Sequence, residues 1–495
     1  MPDSLDRLKA RLGDVHDLRI AARLLEWDQL VMMPPSGAPR RADQISTIHR
    51  LAHELFTADE VGELLEELRP LEGSLEPESV DASLIRVARS DWEKARRIPA
   101  SLQASLSHLA SEAVEAWTQA REASDYAAFR PWLDRTLELK HQYIECFDVA
   151  EPYDALLDDY EPGMRTSEVR DVFARLKPEL LELTRSALED EPGDEAFVTG
   201  FYSREGEEHV SHLVTRAFGF DIASYRLDPT VHPFCTSFAV DDIRLTTRYN
   251  DHDLLAGSLF STMHEAGHGL YEHGIAAELD GTLLAEGCSS ILHESQSRLW
   301  ENVIGRSAPF WRWFYPTMQA TFAETLRDVS LAQFLRSINR LRPSLIRVNA
   351  DETTYGLHVI LRFELEQDLL SGKLSTTELP EAWNSLVHDY LGIDVPDDAH
   401  GCLQDVHWAS GGFGYFPTYQ LGNVVASQIW NRLAGELPDA EAQVEHGQFT
   451  AIRTWLIENL YRLGRTLTPA ETIVRAAGGP IDPEPYLAYL RAKLD

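Results

Sequence analysis

His264, Glu265 and His268 stand in the order H-E-x-x-H within Ser261-Thr-Met-His-Glu-Ala-Gly-His-Gly-Leu270. Residues four apart on an α-helix differ by about 40° in azimuth and one turn of rise, so both imidazoles can reach one metal ion. A zinc ion held this way lowers the pKa of its water to roughly 7, and the glutamate between the histidines can take the proton. The chemistry implied is hydrolysis by a hydroxide made at neutral pH. A short pattern of this kind also arises by chance, so its surroundings have to support it.

They do so by periodicity. Leu254, Leu255, Leu259, Phe260, Met263 and Leu270 recur at helical spacing, which predicts an amphipathic helix carrying the motif. Gly267 and Gly269 each cost about 1 kcal/mol inside a helix and call for the close approach of another backbone or element. A catalytic zinc usually takes three protein ligands and keeps one place open. Downstream carboxylates supply two candidates for the third, Glu286 in Ala285-Glu-Gly and Glu294 in Leu292-His-Glu-Ser-Gln-Ser297. Glu294 lies among Ile291, Leu292, Ser295, Leu299 and Trp300 at helical spacing, whereas Glu286 precedes a glycine at a predicted turn. Spacing alone leaves both open.

The rest of the chain reads as mainly α-helical. Leu102, Leu106, Leu109, Ala113 and Trp117 follow Pro99 at a helix start, and Leu5, Leu8 and Leu12 follow Asp3 and Ser4 as caps. Asp351 predicts the cap of a long helix through Thr354–Leu365 that ends before Gly372. Strand signals are few, and the best, Phe234–Val240 and Ile243–Tyr249, predict a small antiparallel hairpin just before the metal helix. Its edge could hold an extended peptide through backbone hydrogen bonds. The Glu/Pro-rich stretch from Leu75 to Val80 and the acidic run Glu189–Glu195 read as surface loops joining helices. At 495 residues the expected body is one large domain in two lobes, about 1–200 and 201–495.

Charge narrows the partners. The chain carries 45 basic against 80 acidic residues, a formal net charge of -35, which opposes binding to nucleic acid or an anionic membrane. Cys146, Cys235, Cys288 and Cys402 are scattered and include no C-x-x-C pair, so no disulfide framework is expected. The first residues read as charged rather than as a secretory signal, and no run of about eighteen apolar residues offers a membrane span. The expectation is a cytoplasmic protein.

Further blocks make a specific resemblance. His232-Pro233-Phe234, Asp242-Ile-Arg244-Leu-Thr246, His293-Glu294-Ser295-Gln296, Ile346-Arg347-Val-Asn-Ala350-Asp351 and Gly401-Cys-Leu-Gln404-Asp405-Val-His407-Trp408 accompany the H-E-x-x-H motif. With Gly414-Tyr-Phe-Pro-Thr-Tyr419, Trp27–Met33 and Tyr153–Gly163, the chain resembles the carboxypeptidase Taq family of metallocarboxypeptidases over nearly its whole length. The resemblance implies a mostly helical homodimer with a deep groove, zinc or cobalt at its floor, and removal of single C-terminal residues with broad specificity. It also implies His264, His268 and Glu294 as ligands and Glu265 as general base, which selects Glu294 over Glu286.

An oxyanion formed on the substrate needs hydrogen-bond donors, and His407, Tyr415 and Tyr419 are the candidates, beside the loop glycines 411, 412 and 414. A free α-carboxylate matches a guanidinium bidentately, which points to Arg244 and Arg347. One of the two would bind substrate while the other braces Asp242 or a neighbouring carboxylate. Two other functions fit the helical groove. One is an endo-acting zinc oligopeptidase in which these arginines hold only structure, the other a non-catalytic scaffold that binds peptides.

Overall fold

The computed structural model describes residues 2–187 and 195–494. Helices dominate, and short polar residues set many of their starts. Ser79, Asp125, Ser289, Ser307 and Asp351 each accept a hydrogen bond from a backbone N–H of the first turn, which satisfies a donor that the helix itself leaves free. Asp351 caps helix Glu352–Leu370 as its sequence predicts, and Pro99 precedes helix Ala100–Ala123. At the other end of the chain the prediction needs correction. Asp3 and Ser4 lie inside helix Pro2–Val31 rather than before it, and the Ser4 hydroxyl donates to Glu67.

The metal-motif helix spans Ser258–His273 with Gly257 at its N-cap, so Leu254 and Leu255 precede it. Leu254 is buried all the same, its N–H donating to Val198 O. Apolar spacing had continued beyond the helix because both segments face one core.

β1 (Tyr225–Pro229), β2 (Cys235–Ala239) and β3 (Asp242–Thr247) form a sheet of order β1-β3-β2. The predicted hairpin is β2 against β3, antiparallel, with an irregularity between Ser237 and Ala239. The sheet is nevertheless mixed, because β1 pairs with β3 in parallel, Tyr225 opposite Ile243. Asp228 and Pro229 weaken the strand signal of β1, which forms because β3 offers it a partner rather than by propensity.

Both helix glycines of the motif have the neighbours their cost demands. A Cβ at Gly269 would meet Leu245 and Ile243 of β3 at 2.8 and 2.9 Å, and one at Gly267 would lie 2.4 Å from Gln296 O. The motif helix is thus pressed between the sheet and helix Ser290–Arg298, which is continued by a π-helical turn, Leu299–Ile304.

The main core runs from Leu102 to Leu490 and surrounds this unit with Trp300, Trp311 and Phe310. A second, smaller core is built from the first helices, through Leu8, Leu12, Leu64 and Ile85, and takes in Ile275, Leu279, Leu283 and Leu284 from the segment after the motif helix. That segment ties the N-terminal helices to the metal site.

Residues 73–79 connect helices Asp59–Glu72 and Val80–Arg97, as the composition predicts. Of the acidic run, residues 189–194 lie outside the described residues, while Glu195 pairs with Arg340 at 3.0 Å and Arg342 at 2.6 Å. Among the described residues no helix is long and apolar enough to cross a membrane. All four cysteines are free.

Candidate metal centre and its surroundings

His264, His268 and Glu294 each offer a ligand atom within 4.8 Å of the others. Glu294 Oε2 lies 3.8 Å from His264 Nε2 and 3.6 Å from His268 Nε2. Glu286 is elsewhere, in the loop after the motif helix, where its carboxylate pairs with Arg23 of the first helix. Two imidazoles and a carboxylate converging in this way are the donor set that suits a divalent metal.

The tautomers follow from what lies behind each ring. His264 Nδ1 is 2.8 Å from Glu301 Oε2. A carboxylate accepts only, so Nδ1 carries the proton and Nε2 turns its lone pair to the centre. His268 is held in two steps. His293 Nε2 donates to Glu272 Oε1 at 2.8 Å, which leaves His293 Nδ1 as acceptor for the His268 Nδ1 proton at 2.5 Å. Its lone pair too therefore faces inward. Glu272 is fixed in turn by Ser237 Oγ of β2 at 3.0 Å and Gly287 N at 3.1 Å. Glu294 is anchored on its other oxygen, Oε1, by Arg298 Nε at 2.7 Å.

Electrostatics follow this arrangement. Burial acts against a charged His264, yet the Glu294 and Glu301 carboxylates hold its pKa above the ordinary value. Burial would raise Glu301, but His264, Arg298 and Arg306 bring it down to about 2. Glu265 is 6% exposed, and burial, helped by Glu294 and Glu301, pushes it up to about 7. A carboxyl poised there can both accept and release a proton near neutrality.

Sequence spacing had overlooked Glu272, His293, Arg298 and Glu301 as supports of the centre. A signal was present for two of them. Glu272 continues the i, i+4 row of His264 and His268, and Arg298 follows Glu294 by four. Glu301 follows Arg298 by three and pairs with it at 3.3 Å, but that local spacing does not announce its contact with His264 on another helix.

The candidate oxyanion donors come together beside the centre. Gly422 on helix Phe416–Glu436 lies against Glu294, where a Cβ would be 2.6 Å from Glu294 Cγ, and this brings Tyr419 one turn earlier toward the ligands. His407 Nε2 is 3.3 Å from Tyr419 Oη, and the Tyr415 ring stands 4.9 Å from that of Tyr419. Burial drives the His407 imidazole down to about 4 and Tyr415 up to about 12, so both are neutral at pH 7. His407 Nδ1 is buried without a hydrogen-bond partner.

The two arginines are separated. Arg244 on β3 clasps Asp242 at 2.6 and 3.0 Å, its guanidinium 5.0 Å from the ring centres of both Trp27 and Phe238. Arg347, 5% exposed, sits by the donor cluster, 4.9 Å from the Tyr419 ring. It bonds Asp405 at 2.9 Å and Tyr355 Oη at 2.9 Å. Asp405 also receives Arg362 at 2.7 Å. Two guanidinium groups thus share one carboxylate, leaving a positive charge beside the tyrosines.

With this geometry, comparison with known proteins is decisive: residues 7–494 match the family described as carboxypeptidase Taq (M32) metallopeptidase. The chain belongs to that family. It is similar to thermostable carboxypeptidase 1 of Thermus thermophilus, 40% identical over 481 residues, 95% of this chain and 94% of the relative. Carboxypeptidase 1 of Bacillus subtilis is 37% identical over 476 residues, 96% of this chain and 94% of its own. The crystal structure of the M32 carboxypeptidase from Deinococcus radiodurans shares the fold with a TM-score of 0.96 at 38% identity, over 99% of each chain. As a member of the M32 family this protein is a peptide hydrolase, a metallocarboxypeptidase.

Proposed function

We propose that this metallocarboxypeptidase uses zinc, with cobalt able to replace it, held by His264, His268 and Glu294. It removes one residue at a time from peptides with a free C-terminus and broad specificity. The observation that carries the reading is the convergence of three ligand atoms within 4.8 Å beside a buried Glu265. A bound divalent ion supplies Lewis acidity to that spot. Glu265 takes the proton of the attacking water and passes it to the leaving amine, for which a pKa of about 7 suits both halves. Tyr419, Tyr415 and His407 donate hydrogen bonds to the oxygen that gains charge, being neutral donors at the working pH.

Arg347 reads the substrate carboxylate in this scheme, and Arg244 braces Asp242. The shared Asp405 supports that division, since the Arg347–Asp405–Arg362 group is one negative charge short. An arriving carboxylate supplies it. The free edge of β2 takes the peptide backbone, in a groove between the two lobes. The homodimer rests on the family resemblance, and the cytoplasmic location on the charged N-terminal stretch and on four scattered, unpaired cysteines in keeping with a reducing compartment.

Metal analysis of the purified protein, paired with a time course of amino acids released from one defined peptide, tests the whole reading. One equivalent of zinc and sequential release from the C-terminus are expected. Internal cleavage, or equal cleavage of a peptide and its C-terminal amide, would replace it with the oligopeptidase reading. Absence of both metal and zinc- or cobalt-restored activity would leave only a peptide-binding scaffold.

A further inference from the structure

Glu366 is fully buried on helix Glu352–Leu370 and has no part in the chemistry above. Its partners are three neutral donors. Tyr153 Oη donates to Oε2 at 2.6 Å, Gly414 N to Oε2 at 3.1 Å, and Trp408 Nε1 to Oε1 at 2.8 Å. A buried carboxylate costs several kcal/mol unless its oxygens are satisfied, and here both oxygens accept hydrogen bonds. Donors converge on both oxygens, and an amide in its place would turn an NH2 group toward one of them.

The donors come from the two ends of one segment. Arg362, one turn before Glu366, holds Asp405 and, at 2.8 Å, Gln404, while Glu366 holds Trp408 and Gly414. A single helix therefore grips the chain from 404 to 414 at both ends. His407 stands within that stretch and Tyr415 directly follows it. The far side is closed as well. At Gly414, φ is +88°, and a Cβ there would fall 2.6 Å from the Leu156 carbonyl, so the turn is pressed on helix Pro152–Leu157. Tyr153 of that short helix contributes the third donor, and Tyr160 just beyond it packs its ring 4.9 Å from Tyr415. The Tyr153–Gly163 block thus gains a purpose that the hydrolytic scheme did not give it.

We infer that Glu366 is a positioning residue, whose carboxylate joins Tyr153, Trp408 and Gly414 so that the loop between them presents His407 and Tyr415 to the substrate. The inference deepens the proposed reaction and rests on the donor role assigned there to His407 and Tyr415. A displacement of about 1 Å at such groups costs up to roughly a hundredfold in rate.

The test uses the zinc-loaded full chain, with Glu366→Gln, Glu366→Asp, Trp408→Phe and His407→Ala. Metal content, amide hydrogen exchange and the separate kcat and KM for a blocked dipeptide are measured on each. Glu366→Gln is expected to keep its zinc and to speed exchange across residues 405–415 by about tenfold or more, leaving the motif helix unchanged. Its kcat falls roughly ten- to a hundredfold with a smaller change in KM. Glu366→Asp and Trp408→Phe, each keeping part of the arrangement, fall between it and the parent. Unchanged exchange at 405–415 overturns the inference, as does exchange that quickens equally in the motif helix or a loss of zinc. Full turnover in His407→Ala would remove His407 from the reaction without altering the exchange result, so the two failures are distinct.

Discussion

The side-chain position of Gly267 on the motif helix faces the backbone of Gln296 on helix Ser290–Arg298, with no space for a Cβ. One placed at 267 would stand 2.4 Å from Gln296 O and 2.6 Å from Ser297 Cα. This contact sets the separation of the helix that carries both histidines from the helix that carries Glu294. Gly267→Ala is therefore expected to destabilise the fold by about 1–3 kcal/mol and to weaken metal binding. Thermal melting and metal titration check both. Gly435, with nothing within 4 Å of its would-be Cβ, is the control, and Gly435→Ala should leave the melting temperature unchanged or raise it.

The supports of the centre separate metal affinity from turnover. Glu265→Gln should retain zinc and lose roughly 10²–10⁴ in kcat, since only the proton acceptor is removed. Glu301→Gln should weaken zinc binding by about 10–100-fold through His264. Glu294→Ala should lower zinc affinity, and Glu286→Ala should leave the metal content intact because its carboxylate is engaged with Arg23. Competition with a chromogenic chelator reads zinc binding in all four and peptide turnover reads kcat, and zinc loss in the Glu286 variant alone would reverse the ligand choice.

The arginines make a contrasting pair. Losing a bidentate contact to a charged group costs about 1.5–3 kcal/mol, so Arg347→Lys should reduce the preference for a free peptide over its amide by roughly ten- to a hundredfold. Arg244→Lys should leave that preference in place and lower stability through Asp242. A preference that survives in Arg347→Lys would transfer carboxylate recognition to another group.

Glu161 sets a pH dependence of stability. It is 1% exposed, receives Ile291 N at 3.1 Å at the start of the helix bearing Glu294, and is pushed by burial up to about 8. The unfolded chain ionises this group near its ordinary value of 4.5. Between those two values the folded protein binds the extra proton, so the stabilising contribution present at low pH is lost as pH rises toward 8, at about 1.4 kcal/mol per unit. Glu161→Gln should remove that slope, melting above the parent at pH 8 relative to its position at pH 5. Parallel melting curves of the two proteins across that range would contradict the assignment.

How far the sequence reached depends on the distance over which its signals act. The shared helix of His264, Glu265 and His268 was legible because four residues along a helix is a local relation, fixed once the apolar spacing makes the helix. The hairpin was legible for the same reason, its two strands being separated by a single turn. β1 was not, since a parallel strand is specified by the partner it finds and its own residues are weak strand formers. Glu294 and Glu286 could not be separated by spacing, because each is simply a glutamate near a helix or a turn.

By itself the sequence determined the helical class, the metal motif and the family blocks in which His407, Tyr419, Arg244 and Arg347 stand. Only the tertiary structure decided which of these share a site. It set Arg347 with the tyrosines and Arg244 with Trp27 and Phe238, and it brought Glu272 behind His293, Glu301 behind His264 and Glu366 against Trp408. The physical reason is packing. Groups that orient others act through contacts of about 3 Å between helices far apart in the chain, and those contacts exist only when the core has closed around them.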